Sequence, residues 1–200
     1  MMRHAARSSL RSAAVAALVV ALGAVGMPAT AADGDLLVSV DGATYTSGST
    51  LPLFPDAWRF VPGDVQHAWV WVQNAGATPA TLRIDLVDPT TTDPLFADNV
   101  TIAAAPDGFP LAPVGFASAI DNGACTVLSG TRVIGPGESV RIDVEVAVSS
   151  ALIGTQAERA RLSFSLRANL VDAAATVSAQ PGDACLALTG DGGGTRPPGK

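Results

Sequence analysis

Between residues 138 and 148 the chain places Val140, Ile142, Val144, Val146 and Val148 at every second position, with Arg141, Asp143 and Glu145 between them. A period of two sends successive side chains to opposite faces of an extended strand, whereas a helix would scatter these β-branched residues around its circumference. The stretch is therefore a strand with one aliphatic and one charged face. The same spacing returns in Ala160, Leu162, Phe164, Leu166, Ala168 and Leu170, which alternate with Arg159, Arg161, Ser163, Ser165, Arg167 and Asn169. Two strands this long commit the chain to sheets. Their polar faces are expected to pair charge across neighbouring strands, Arg161 or Arg167 against Asp143 or Glu145.

Turn chemistry supports the same reading. Val61-Pro62-Gly63-Asp64 and Gly135-Pro136-Gly137-Glu138 each put proline where a type II turn needs φ near −65° and glycine where it needs positive φ. Leu82, Ile84 and Leu86 alternate with Arg83 and Asp85, and residues 36–40 lead into Asp41-Gly42, a hairpin signal. Further strands are expected near residues 44–46, 58–61, 65–73, 100–104, 126–128 and 131–134. The fold class is all-β: an antiparallel β-sandwich of about eight to ten strands, jelly-roll-like or immunoglobulin-like. An alanine-rich piece at 151–160 is compatible with a short helical turn.

The amino-terminal residues carry Arg3, Arg7 and Arg11 without an acid, then an apolar run from Ala13 to Val25, then Ala29-Thr30-Ala31. That run is shorter than the roughly 20 residues a membrane span requires, and the small residues suit a signal peptidase. Residues 1–31 are read as a secretory signal peptide, 32–188 as the β-sandwich domain and 189–200 as a disordered glycine- and proline-rich tail. The expected location is extracellular or cell-surface associated, with no membrane span after processing. Three of the twelve basic residues and none of the eighteen acidic ones lie in the signal, leaving nine against eighteen. Such an acidic domain repels phosphate backbones, so a nucleic-acid partner is not expected. Cys125 and Cys185 are the only cysteines, and an even count in an exported chain favours one disulfide.

Chemistry has few footholds. His67 is the single histidine left after processing, no Gly-x-Ser-x-Gly elbow occurs, and neither a zinc set nor a catalytic triad can be assembled from such a chain. No cofactor, no metal and no enzymatic activity are expected. Asp85, Asp88, Asp93 and Asp98 cluster in sequence without the glycine or terminal glutamate of an EF-hand, so they read as turn-forming and solubilising residues rather than a calcium loop. Residues 106–124, with Phe109 and Phe116, form a long connection, read as two phenylalanines plugging one end of the sandwich.

One segment offers a binding surface. His67, Trp69, Trp71 and Gln73 share one face of a strand whose other face carries Ala68, Val70 and Val72. Either face can be the core. The commoner arrangement buries the tryptophans and lays the small aliphatic face under a loop. The opposite arrangement leaves paired indoles, flanked by histidine and glutamine, to stack on a glycan or anchor a peptide.

The order of features resembles the TasA/camelysin group of exported bacterial proteins: a signal peptide, an early strand, a Pro-Gly-Asp turn, a strand ending in Asn74-Ala75-Gly76, and Gln156 before a strand containing Phe164. In this reading Asn74 and Gly76 end the strand by accepting positive φ. The resemblance spans residues 36–170. It implies a jelly-roll-like sandwich working outside the cell, in fibres or biofilm matrix. Camelysin's metalloprotease activity does not carry over, because this chain has no His-Glu-x-x-His. The expected function is a secreted, non-catalytic structural or surface-interaction protein whose partners are itself or other cell-envelope proteins. Self-association would run through an open strand edge, with the segment after Ala32 as a strand donor. The alternative is a soluble glycan- or peptide-binding module using the Trp69 and Trp71 face.

Overall fold

In the computed structural model the described residues are 35–51, 53, 60–153, 158–173 and 180–185. Residues 1–34, and with them the predicted signal peptide, lie outside that set, as does the tail. The described strands are β1 (Leu36–Ser39), β2 (Thr46–Ser47), β3 (Val65–Asn74), β4 (Ala80–Thr91), β5 (Val100–Pro106), β6 (Val114–Gly115), β7 (Cys125–Val127), β8 (Arg132–Ile134), β9 (Ser139–Val148) and β10 (Leu162–Asp172). Two short helices, α1 (Pro94–Asp98) and α2 (Phe116–Asp121), interrupt them. Among the described residues no helix is long and apolar enough to cross a membrane.

The strands form two antiparallel sheets. The first runs β2-β1-β3-β9-β5-β6; the second runs β10-β4-β7, with β8 on β4 beside β7. The fold class is thus the expected all-β sandwich, with sheets not closed into a barrel. Val70 and Val72 of β3 and the valines of β9 meet Leu82, Ile84 and Leu86 of β4 and Leu166 and Ala168 of β10 in one core. Each such valine, leucine or isoleucine contributes roughly 1.5–3 kcal/mol on full burial. Phe116 of α2 closes one end of the core by an edge-to-face contact with Phe164, ring centroids 5.8 Å apart. Phe109, its expected partner as a plug, stays outside at 56% exposure with Arg132 over its ring.

Both Pro-Gly-acid turns form as read. Asp64 N donates to Val61 O at 3.0 Å and Glu138 N to Gly135 O at 3.1 Å, with Gly63 and Gly137 at positive φ. In each, the acid also accepts from the first residue's amide: Asp64 Oδ2 from Val61 N, and Glu138 Oε2 from Gly135 N. The acid therefore locks the turn from its far end, which explains its recurrence after Pro-Gly. A third copy, Gln180-Pro181-Gly182-Asp183, makes the same two bonds. Its sequence carries the same Pro-Gly-acid signal.

Several expectations need correction. β9 and β10, consecutive in sequence, lie in different sheets, so Arg167 sits opposite Asp85 rather than Asp143 or Glu145. Periodicity shows that a strand has two unlike faces but not which strand lies beside it. Asn74 and Gly76 do not end β3 by positive φ, since among the described residues the one non-glycine in that region is Asp88 and Gly76 is not among the glycines there. Asn74 works through its buried side chain instead, donating to Thr78 O at 2.8 Å and Ile134 O at 3.2 Å and accepting from Gly76 N. Phe60 and Val61 are not in a strand, and the rest of the strand expected at 58–61 falls outside the described residues. Among the described residues of 151–160 there are turns but no helix, and residues 154–157 lie outside that set; the described short helices lie in stretches where neither was expected.

The four aspartates do not gather. Asp85 is wholly buried, Asp88 takes positive φ where the β4–β10 register shifts, and Asp93 caps α1 by accepting from Leu95 N. They are turn, cap and ion-pair residues.

Candidate interaction face

β3 pairs with β9 from Val65 to Gln73 and with β1 from Trp71 to Asn74, and its Val70 and Val72 are fully buried. Because side chains alternate, that burial turns His67, Trp69, Trp71 and Gln73 to the outer surface of the first sheet. The arrangement that buries the tryptophans is therefore overturned. The deciding influence is β9, whose uninterrupted aliphatic row, Val140 to Val148 with Ile142, can only face the second sheet. Antiparallel pairing of Val70 with Ile142 and Val72 with Val140 then forces β3's aliphatic side the same way.

The two indoles are not equivalent. Trp69 is 56% exposed. Trp71 is half-buried, because the β1–β2 loop folds over it: a Cβ built on Gly42 would lie 2.8 Å from Trp71 Nε1 and 3.0 Å from Cε2. Only glycine fits that approach, and its φ of +72° also disfavours any side chain. The loop is fixed by Asp41, whose Oδ1 accepts from Ser39 Oγ, Ala43 N and Thr44 N at 2.8–2.9 Å. Those bonds, the backbone ones first, hold the Asp41 carboxyl down at about 2. The paired-indole platform is thus one free indole and one clamped indole. Sequence showed the face; the clamp comes from a loop some 30 positions earlier, and the Asp41-Gly42 dipeptide had been legible only as a turn.

Opposite this strip β9 presents acids. Asp143 faces Trp69 across the ladder and Glu145 faces His67. Asp143 is matched by Arg141 at 3.0 Å, and Asp107 approaches the same guanidinium at 3.4 Å. Hydrogen bonding and charge from Asp143, with Asp107 behind, push the Arg141 pKa up, so that cation is committed. Glu145 has only the exposed His67 imidazole, 3.6 Å away, as an ion-pair partner among the described residues. Gln73 is half-spent, donating to Gly137 O at 3.2 Å.

The outer face of the second sheet is built differently. Arg83 and Asp85 point away from the core yet are 2% and 0% exposed, joined by two hydrogen bonds of 2.8 and 2.7 Å. Asn169 donates to the same carboxylate at 2.7 Å. The Cys125–Cys185 disulfide forms as expected, Cα atoms 5.3 Å apart, and lies over this pair. Both sulfurs and an Asp85 oxygen fall within 4.8 Å of one another. Sulfurs bonded to each other are not metal ligands, so this cluster is a lid and not a centre. Residues 182–185 pair with β7 through Val127 N to Asp183 O and Cys185 N to Cys125 O.

Strand edges are partly occupied. β2 and β6, which end the first sheet, have two residues each. On the second sheet, residues 49–51 bond to Leu166 and Ala168 of β10, and residues 182–185 cover β7. Compared with known proteins, the chain matches no family model and no curated protein sequence.

Proposed function

We propose that the chain is a secreted, non-catalytic surface-interaction protein that engages its partner through the outer face of the first sheet around Trp69. The observation that carries this reading is a tryptophan more than half exposed on a central strand whose opposite side is the core. Exposing an indole forgoes the burial that would otherwise stabilise the fold, and rigid aromatic side chains are the usual anchors of interfaces. The signal peptide expected from the sequence of residues 1–31 supports a location outside the cell, at the surface or in its matrix, in keeping with the TasA/camelysin resemblance. The disulfide is compatible with such a compartment.

A protein partner is preferred to a glycan. With Trp71 clamped under Gly42, sugar rings have one indole to stack on, whereas a protein can cover Trp69 together with exposed Val65, which shares its side of β3. The face is also preferred to a strand edge as the route of association, since the described edges are short or partly bonded.

The test is co-sedimentation of the purified processed protein with washed cell-envelope and matrix material. Trp69→Ala is expected to abolish binding while leaving the circular-dichroism spectrum unchanged. Binding equal to wild type would end the reading, and a glycan-array signal lost in the same variant would replace the protein partner with a sugar.

A further inference from the structure

The Trp69 face has a charge imbalance that defines what it can receive. Arg141 is consumed by Asp143 and Asp107, while Glu145, one ladder step along from Asp143, has no guanidinium or ammonium against it among the described residues. An exposed indole beside an unneutralised carboxylate is a receptor for a cationic side chain, which stacks on the ring and pairs with the acid. The chain itself supplies such a group. Thr195-Arg196-Pro197-Pro198-Gly199-Lys200 holds two of the nine basic residues left after export and no acid.

Resting on the interaction face above, we infer that its occupant is the 189–200 segment of a second copy, with Arg196 or Lys200 over Trp69 and paired to Glu145. Proline-containing segments dock on aromatic surfaces because their backbone loses little entropy on binding. The covalent root of the tail favours a second copy over self-docking. Cys185 is bonded to Cys125 on the outer face of the second sheet, whereas Trp69 is on the outer face of the first. Donor and acceptor therefore leave opposite sides of the sandwich. A contact between unlike surfaces is head-to-tail, and it closes a ring or propagates into an open chain according to the rotation between copies.

Sedimentation velocity of the full processed chain, over a concentration series at low salt, reads this directly. The wild type is expected to grow with concentration and to dissociate at about 0.5 M salt, where the Debye length drops to a few ångströms. Trp69→Ala, Glu145→Gln and the double change Arg196→Ala/Lys200→Ala should each raise the midpoint concentration at least about tenfold, the loss of one modest contact. A synthetic peptide of residues 189–200 should disperse the wild-type assemblies. The tail double variant lies beyond the described sandwich residues, so it keeps the test sound should Trp69→Ala misfold. A wild type that stays monomeric throughout, or a tail variant that assembles like wild type, overturns the inference. If that happens while Trp69→Ala still loses envelope binding, the tail inference falls and the interaction face stands.

Discussion

The outward surfaces of the two sheets carry the same kind of sequence and end in opposite environments. On β9, Arg141, Asp143 and Glu145 alternate with core valines; on β4, Arg83 and Asp85 alternate with core Leu82, Ile84 and Leu86. The first set reaches water beside an open indole. The second is sealed under a disulfide, with no exposure left at Asp85. An alternating pattern thus says which residues leave the core, and not whether they arrive at solvent. What lies over a sheet is set by segments far away in sequence, here residues 180–185.

The contrast can be broken most forcefully at its buried carboxylate. Asp85→Ala leaves Arg83 as an uncompensated buried charge, and should cost about 3–5 kcal/mol in chemical denaturation. A loss below about 1 kcal/mol would mean that water reaches this pair. Removing the lid comes next. Cys125→Ser/Cys185→Ser opens a loop of sequence separation 60, a loss of about 4 kcal/mol if the constraint on the unfolded chain dominates. Amide exchange should then rise along β7 and residues 182–185.

On the open side the effects shrink. Gly42→Ala combines positive φ with a methyl driven into Trp71, so a loss of about 1–3 kcal/mol and altered tryptophan emission are expected. Glu145→Ala, at a half-buried position with a distant partner, should change stability by no more than about 0.5 kcal/mol. Set beside Asp85→Ala, it measures how far burial separates two carboxylates that look alike in sequence.

The smallest effect is a pH dependence of the loop over Trp71. The Asp41 carboxyl is held down at about 2 in the folded chain against 3.8 unperturbed, so its contribution is complete above about pH 4. It is lost as pH falls toward 2, where protonation removes the acceptor for Ala43 N and Thr44 N. Tryptophan emission should be flat from pH 7 to 4 and shift below that. A shift centred near pH 4 would show that the loop bonds do not favour the carboxylate.

Much of the architecture was legible in local chemistry. The valines of β9, the alternation of β10 and the Pro-Gly-acid turns each state their structure within a dozen residues, because strand faces and turn torsions are set by neighbours in sequence. The disulfide followed from there being two cysteines. The third turn at 180–183 was equally readable from its residues. Which face of β3 is the core was not, since both sides of that strand are apolar and only pairing with β9 breaks the tie.

By itself, then, the sequence determined that the chain builds half-buried strands, where several of them turn, and that Trp69 and Trp71 share a side. Tertiary structure alone decided that this side faces out, that Gly42 withdraws one indole, and that Asp85 is sealed while Glu145 is not. The physical reason is that a strand's two faces are defined by its own period, whereas exposure depends on what packs above it. That cover comes from chain elements whose arrival no local pattern encodes.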